Sequence, residues 1–157
     1  MRTPRGFSLT ELLLLLAILG TILALSSGYL NPDRQAVNQA ASSLAAQVTR
    51  ARLEAIRWND FVGIRFLTGG AGGYVIFLDQ NRNRTYDGAD TAIQTITFGQ
   101  GEWARVRLTA LTGPEVLVFD PRGIPQDFTG ATVTLSDRAG TYTQGVSLSP
   151  QGRGSLP

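Results

Sequence analysis

From Phe7 to Leu30 the chain reads FSLTELLLLLAILGTILALSSGYL, an apolar run in which Glu11 is the one charged residue. About 24 residues in helical form reach about 36 Å, enough to cross a hydrocarbon core about 30 Å thick. The pattern then changes. Asn31 suits a helix cap, Pro32 the first helical position, and Asp33 the positive end of a helix dipole, so a helix restarts or kinks here. Val37, Ala40, Leu44, Val48, Ala51, Ala55 and Trp58 recur at steps of three and four, with Gln39, Gln47, Arg50 and Arg57 largely elsewhere around the wheel. This spacing predicts an amphipathic helix over about 32–58 that stops at Asn59 and Asp60.

Beyond residue 60 the period becomes that of strands. Phe61 to Leu67, Tyr74 to Leu78, Ala92 to Phe98, Trp103 to Thr109, Val116 to Asp120, Ala131 to Leu135 and Tyr142 to Leu148 read as strands. Turns rich in Gly or Pro separate them, notably 69–73, 121–123 and 137–140. The expected fold class is α+β. A long N-terminal helix, with a membrane half and an amphipathic half, packs on an antiparallel β-sheet head over 60–157.

Composition narrows the chemistry. All 14 basic residues are Arg; Lys, His and Cys are absent. The chain therefore lacks a thiol nucleophile, an imidazole base, the usual nitrogen or sulfur ligands for zinc, a Schiff-base amine and a phosphate-binding lysine. Nothing in the spacing of the acids points to a carboxylate acid and base pair, so the chain is read as a non-enzyme without a resident cofactor. The formal charge of +2 comes from Arg2 and Arg5, since the remaining Arg balance the 12 acids. Any binding of nucleic acid or anionic lipid must then come from a local Arg cluster.

Charge also orients the apolar run. Arg2 and Arg5 precede it, while Asp33 and Arg34 cancel after it, which leaves the amino end in the cytoplasm and the remainder outside the inner membrane. Glu11 costs about 2.5 to 3.5 kcal/mol in such a segment unless it finds a partner. A cut after Gly6 would supply one, because the new amine of Phe7 lies one helical turn from Glu11 and could pair with it or with a neighbour's Glu11. Two other readings stay open: a secretory signal peptide cleaved near Ala24-Leu25-Ser26, and a plain single-span anchor with an incidental acid. Ala17, Gly20, Thr21, Ala24, Ser27 and Gly28 follow steps of three and four and form a candidate seam for close helix approach.

Arg5-Gly6-Phe7-Ser8-Leu9-Thr10-Glu11, followed by Leu12 to Leu19, resembles the type IV prepilin signature. The resemblance implies a leader over 1–6 removed by a prepilin peptidase, methylation of Phe7 and a transmembrane assembly helix over 7–30. It implies a periplasmic or extracellular head over 31–157 and a role for Glu11 in neutralising the amine of an adjoining subunit during filament assembly. Ala51 to Arg57, the turn Val118-Phe119-Asp120-Pro121-Arg122-Gly123 and the stretch Ser149-Pro150-Gln151-Gly152-Arg153-Gly154 resemble the GspH/FimT subgroup of minor pilins and pseudopilins. The function so implied is a structural subunit of a type IV pilus or a type II secretion pseudopilus, with other pilin or pseudopilin subunits as partners. The alternative is a minor pilin that binds DNA in natural transformation, or a filament subunit that binds a secreted protein.

Two further patterns are candidate binding features. Asp79, Asn81, Asn83, Asp87 and Asp90 occupy positions 1, 3, 5, 9 and 12 of the stretch DQNRNRTYDGAD, a spacing that can wrap oxygen ligands around calcium. Arg84 stands where an EF-hand loop has glycine, and the same residues also suit a polar hairpin. Trp103, Arg105 and Arg107 alternate with Ala104, Val106 and Leu108, so that on a strand they would share one face able to grip nucleic acid. Arg122 and Arg153 add charge on loops. FimT-type proteins carry an arginine-containing tail, which Gly152-Arg153-Gly154 matches without its second arginine.

Overall fold

The computed structural model describes residues 8–27 and 31–157. The processing positions Gly6 and Phe7, the leader and Gly28 of the candidate seam lie outside these residues.

Helix α1 spans Leu9–Ser27. Its start is a capping box: Ser8 is the cap, and its backbone N–H donates to Glu11 Oε2 at 3.2 Å from the third helical position. Leu9 is 75% exposed, and every large apolar side chain described on α1 is exposed with it. The expected span over 7–30 extends past both ends of α1. Its 19 residues reach about 28 Å at about 1.5 Å per residue. Among the described residues no helix is long and apolar enough to cross a membrane.

The rest of the chain, from Asp33 on, is a separate compact unit. Helix α2 runs Pro32–Trp58, and its buried face is Val37, Ala40, Ala41, Leu44, Val48, Ala51 and Ala55. These follow the steps of three and four read from the sequence, except that Trp58 stays partly exposed. Asn59 ends the helix at φ 53°; its N–H bonds to Ile56 O and the Asp60 N–H to Ala55 O. That is the Schellman arrangement, which satisfies the last carbonyls.

Eight strands follow: β1 Val62–Leu67, β2 Gly73–Leu78, β3 Thr91–Thr97, β4 Val106–Thr112, β5 Val116–Phe119, β6 Ala131–Asp137, β7 Thr143–Leu148 and β8 Gly154–Ser155. All pairings are antiparallel, and the expected sheet is present as two, with orders β3-β2-β1-β5 and β4-β6-β7-β8. One continuous core joins the α2 stripe to the inward side chains of both, among them Ile64, Phe66, Ile76, Leu117, Phe119, Val133, Leu135 and Val146. Burying each large aliphatic side chain in it contributes about 1.5–3 kcal/mol before entropy is counted.

One strand expectation is corrected, the strand from Trp103 to Thr109. Residues 101–103 form a 3₁₀ turn, and β4 begins only at Val106. The chain reverses there because Gly99 N–H bonds to Trp103 O and Trp103 N–H to Gln100 O, which spends on a turn the groups a ladder would need. The tail adds a short pairing beyond the seven expected strands, β8 with β7.

Candidate functional site

The three stretches that resemble the GspH/FimT subgroup, Ala51 to Arg57, 118–123 and 149–154, meet in space. After β5, Asp120 is buried and closes the turn 120–124: Oδ1 accepts the N–H groups of Arg122 and Ile124, both at 2.9 Å, and Oδ2 accepts Arg122 Nη2 at 2.9 Å and Nε at 3.1 Å. Burial pushes this carboxyl up, but the bonds from Ile124 and Arg122 outweigh it and hold it below the usual carboxylate range. The turn lies on α2, and Gly123 takes φ 73°, where a Cβ would stand 2.8 Å from Ile56 Cδ1 and 3.1 Å from the Arg52 stem, so that these side chains would have to shift.

The tail closes against the same turn. Ser149 N–H bonds to Arg153 O and Gly152 N–H to Ser149 O, a tight loop whose Gly152 has φ 69°. A Cβ on Gly152 would come within 2.5 Å of the Phe119 ring and 2.9 Å of Pro125. Between turn, tail and helix lies an open cleft of about 500 Å³ lined by Arg52, Ile124, Pro125, Gln151 and Arg153. Ile124 is 45% exposed there.

Pairing distinguishes the arginines. Arg105 is bound to Asp33 at 2.6 Å and Arg122 to Asp120. Arg50 and Arg57 flank Glu54, Arg82 pairs with Asp60, and Arg84 pairs with Asp127. Among the described residues the guanidiniums of Arg52, Arg107, Arg138 and Arg153, and the carboxylates of Glu102 and Glu115, have no hydrogen bond or ion pair. The cleft thus holds two unengaged cations against an apolar wall, an arrangement that can grip a carboxylate or phosphate but offers no nucleophile or base.

The four arginines singled out from sequence do not converge. Arg107 is on β4, Arg105 lies in the turn before it, Arg122 is folded onto its own loop, and only Arg153 lines the cleft. The expected common strand face of Trp103, Arg105 and Arg107 is absent because Trp103 and Arg105 precede the strand. Arg52, the partner that the fold brings to Arg153, was not singled out. Its signal lay in the Ala51 to Arg57 stretch, where Arg52 and Ile56 sit one turn apart beside the buried stripe.

The Asp and Asn residues of loop 79–90 do come together, but N–H groups occupy their oxygens. Asp79, fully buried, accepts from the Asn83 N–H at 3.1 Å and the Arg84 N–H at 2.9 Å. Asn81 and Asn83 turn their amide nitrogens to Asp87, and Asp90 accepts from the N–H groups of Gln80 and Asp87. The Ala89 N–H and the two amides lower the pKa of the Asp87 carboxyl. The loop is drawn over the outer side of the first sheet by Tyr86, whose ring centroid is 5.1 Å from that of Phe77. Among the described residues no group of three or more acids could hold a metal ion.

Known proteins resemble this chain in sequence and in fold. The family model described as GspH, type II transport protein, matches residues 40–152, a range that includes Arg52 and both arms of the turn but stops one residue short of Arg153. Pilin-like protein PilA1 of Thermus thermophilus is 54% identical over 98% of this chain and 99% of its own length. Among solved structures, the type IV minor pilin FimU of Pseudomonas aeruginosa covers 79% of this chain and 90% of its own at a TM-score of 0.55 and 19% identity. The minor pseudopilin EpsH from the type 2 secretion system of Vibrio cholerae covers 77% and 95% at a TM-score of 0.50 and 13% identity. At such identities the two structures speak for the fold alone.

Proposed function

The chain belongs to the GspH family of type IV pilin-like proteins, and on that premise we propose that it is a minor pilin or pseudopilin, a filament subunit stored in the inner membrane with its head outside. The family's members are structural subunits, and the cleft has no catalytic chemistry to set against that. The observation that carries the reading is α1. Leucines and isoleucines cover it all round and are exposed, so it needs an apolar environment from outside the chain, which a bilayer provides before assembly and neighbouring helices provide after it.

Glu11 fits this use. In its capping box it engages one oxygen, Oε2, with the Ser8 N–H, which leaves Oε1 for a cation. A prepilin peptidase that cuts after Gly6 would produce that cation at Phe7, and methylation there would follow the family pattern. The mature chain should therefore begin at Phe7 by mass spectrometry. Glu11→Ala should leave cleavage intact while removing the chain from the sheared filament fraction; a mutant incorporated at the wild-type level sinks the pairing role, and a mature start near Ser27 sinks the assignment.

A further inference from the structure

We infer that the cleft between α2, the 120–125 turn and the tail docks an acidic peptide segment of a different filament subunit, one that presents a carboxylate beside an apolar side chain. This deepens the filament-subunit reading above and rests on it. Arg52 and Arg153 line the cleft, and among the described residues their guanidiniums have no hydrogen bond or ion pair. The acid of the adjoining turn is already taken: Asp120 gives one oxygen to two N–H groups and the other to Arg122. Glu102 and Glu115, which are unengaged, do not line the cleft. Arg52 is also held in place. It is half-buried, and its Cγ and Nε lie 3.1 Å from where a Cβ on Gly123 would stand, so its stem rests on the backbone of the turn. A guanidinium packed in this way has less rotamer freedom to lose when an anion arrives. Arg153 comes from the tail loop, which is closed by its own carbonyl on the Ser149 N–H and by its N–H on Ser149 Oγ at 3.2 Å. Two guanidiniums set on fixed backbone can take both oxygens of one carboxylate.

The apolar surroundings favour a peptide as the occupant. Ile124 and Pro125 wall the cleft, Ile56 meets the turn at Gly123 through its Cδ1, and Leu53 and Ile56, 59% and 47% exposed, continue the apolar surface along α2. Arginine set among exposed apolar side chains is a composition found where proteins dock on one another. A nucleic acid fits less well, since among the described residues no aromatic ring lines the cleft for a base to stack on and only Arg52 and Arg153 are at hand for phosphates. Nor is the partner a second copy. A minor subunit is outnumbered in its filament, so the neighbour of one copy is a subunit of another sequence. Charge then serves selection, because a neighbour without an acid at this position leaves two cations covered and unmatched.

A benzophenone amino acid placed at Gln151 of the full chain, in cells that assemble the filament, probes the cleft from its rim. Irradiation should join the chain to another filament subunit, and mass spectrometry should map the joined peptide to a stretch with Asp or Glu beside an apolar residue. Arg52→Glu with Arg153→Glu should cut the yield about tenfold through like-charge repulsion. Arg107→Glu, on β4 and outside the cleft, should leave it unchanged. Changing the mapped acid to Arg should restore the yield with the charge-reversed chain. Should that double variant fail to fold, Arg153→Gln on the exposed tail should still lower the yield about threefold. No product, a product made only of copies of this chain, a yield indifferent to the cleft charges or a failed restoration overturns the contact. So does a charge-reversed chain that keeps its yield but loses binding to a DNA duplex, which would make the cleft a nucleic-acid site. The unmodified chain is followed in sheared filaments in parallel: present there without a photoproduct from Gln151, the contact fails and the filament reading stands; absent there, the filament reading fails and the contact with it.

Discussion

Helices α1 and α2 solve the same problem in opposite ways. Both are apolar over a large part of their surface. In α2 one stripe of apolar positions from Val37 to Ala55 is buried in the core, with Leu44 at 0% exposure, and Leu53 and Ile56 lie off it; in α1 the apolar positions go all round and stay exposed, with Leu9 at 75%. The head is complete in itself, whereas α1 carries needs that only other molecules can meet. Their polar groups follow the same division. The buried Asp79, Asp120 and Asp137 each find N–H donors inside their own loops, but among the described residues Glu11 finds only the Ser8 N–H. An assembling subunit requires both conditions, a head that folds before partners arrive and a helix that gains by meeting them.

The sharpest way to break this contrast is to truncate one leucine in each helix. Leu44→Ala should lower the unfolding free energy of the head by about 2–5 kcal/mol, the range for a large side chain removed from a packed core. Leu14→Ala should leave it within about 0.5 kcal/mol, as for an exposed position. Denaturant titration of the full chain in detergent, followed by tryptophan fluorescence, measures both; equal effects would show that α1 belongs to the folding unit.

A smaller effect tests whether polar groups in the head are satisfied internally. Asp79→Ala leaves the Arg84 N–H without its acceptor and the Asn83 N–H with Asn81 Oδ1 alone, and should cost about 1–3 kcal/mol. Hydrogen exchange should show faster loss of protection at those two amides while the β1–β2 ladder stays protected. Uniform destabilisation with no local opening would mean that Asp79 acts through packing alone.

The smallest is a pH effect. Asp137 lies below the usual carboxylate range: the Thr141 hydroxyl is the largest cause, burial opposes it, and the Tyr142, Thr141 and Gly140 N–H groups add to it. Asp120 is also lowered. A carboxyl whose folded value is depressed contributes stability that is present above its unfolded value, about 3.9, and lost as pH falls through the folded one. The melting temperature should therefore be level from pH 7 to about 5 and fall below about pH 4, with Asp137→Asn shallowing the fall. A stability maximum near pH 4 would contradict that sign.

Much of this division was legible beforehand. Val37 to Ala55 announced the buried stripe because a helix places every third or fourth residue on one side, and Asn59 announced the stop because it tolerates positive φ. Seven of the strands were legible from alternation bounded by Gly and Pro. The one misread strand start has a local cause. The alternation from Trp103 to Leu108 looks like a strand, yet the Gly99 to Gly101 neighbourhood allows a reversal that period counting does not register. The capping box Ser8-Leu9-Thr10-Glu11 follows the local rule for a helix start, a Ser with Glu three residues later.

By itself, then, the order of residues determined whatever depends on neighbours along the chain: the helices, their caps, the strand segments and the lone acid in an apolar run. Those follow from periodicity and propensity, which act over a few residues. Only the tertiary structure decided which strands share a sheet, which arginines are already paired and that Arg52 meets Arg153 across about 100 intervening positions. Such meetings depend on how a shared core draws distant segments together, and no local pattern encodes a contact whose energy comes from burying surface elsewhere.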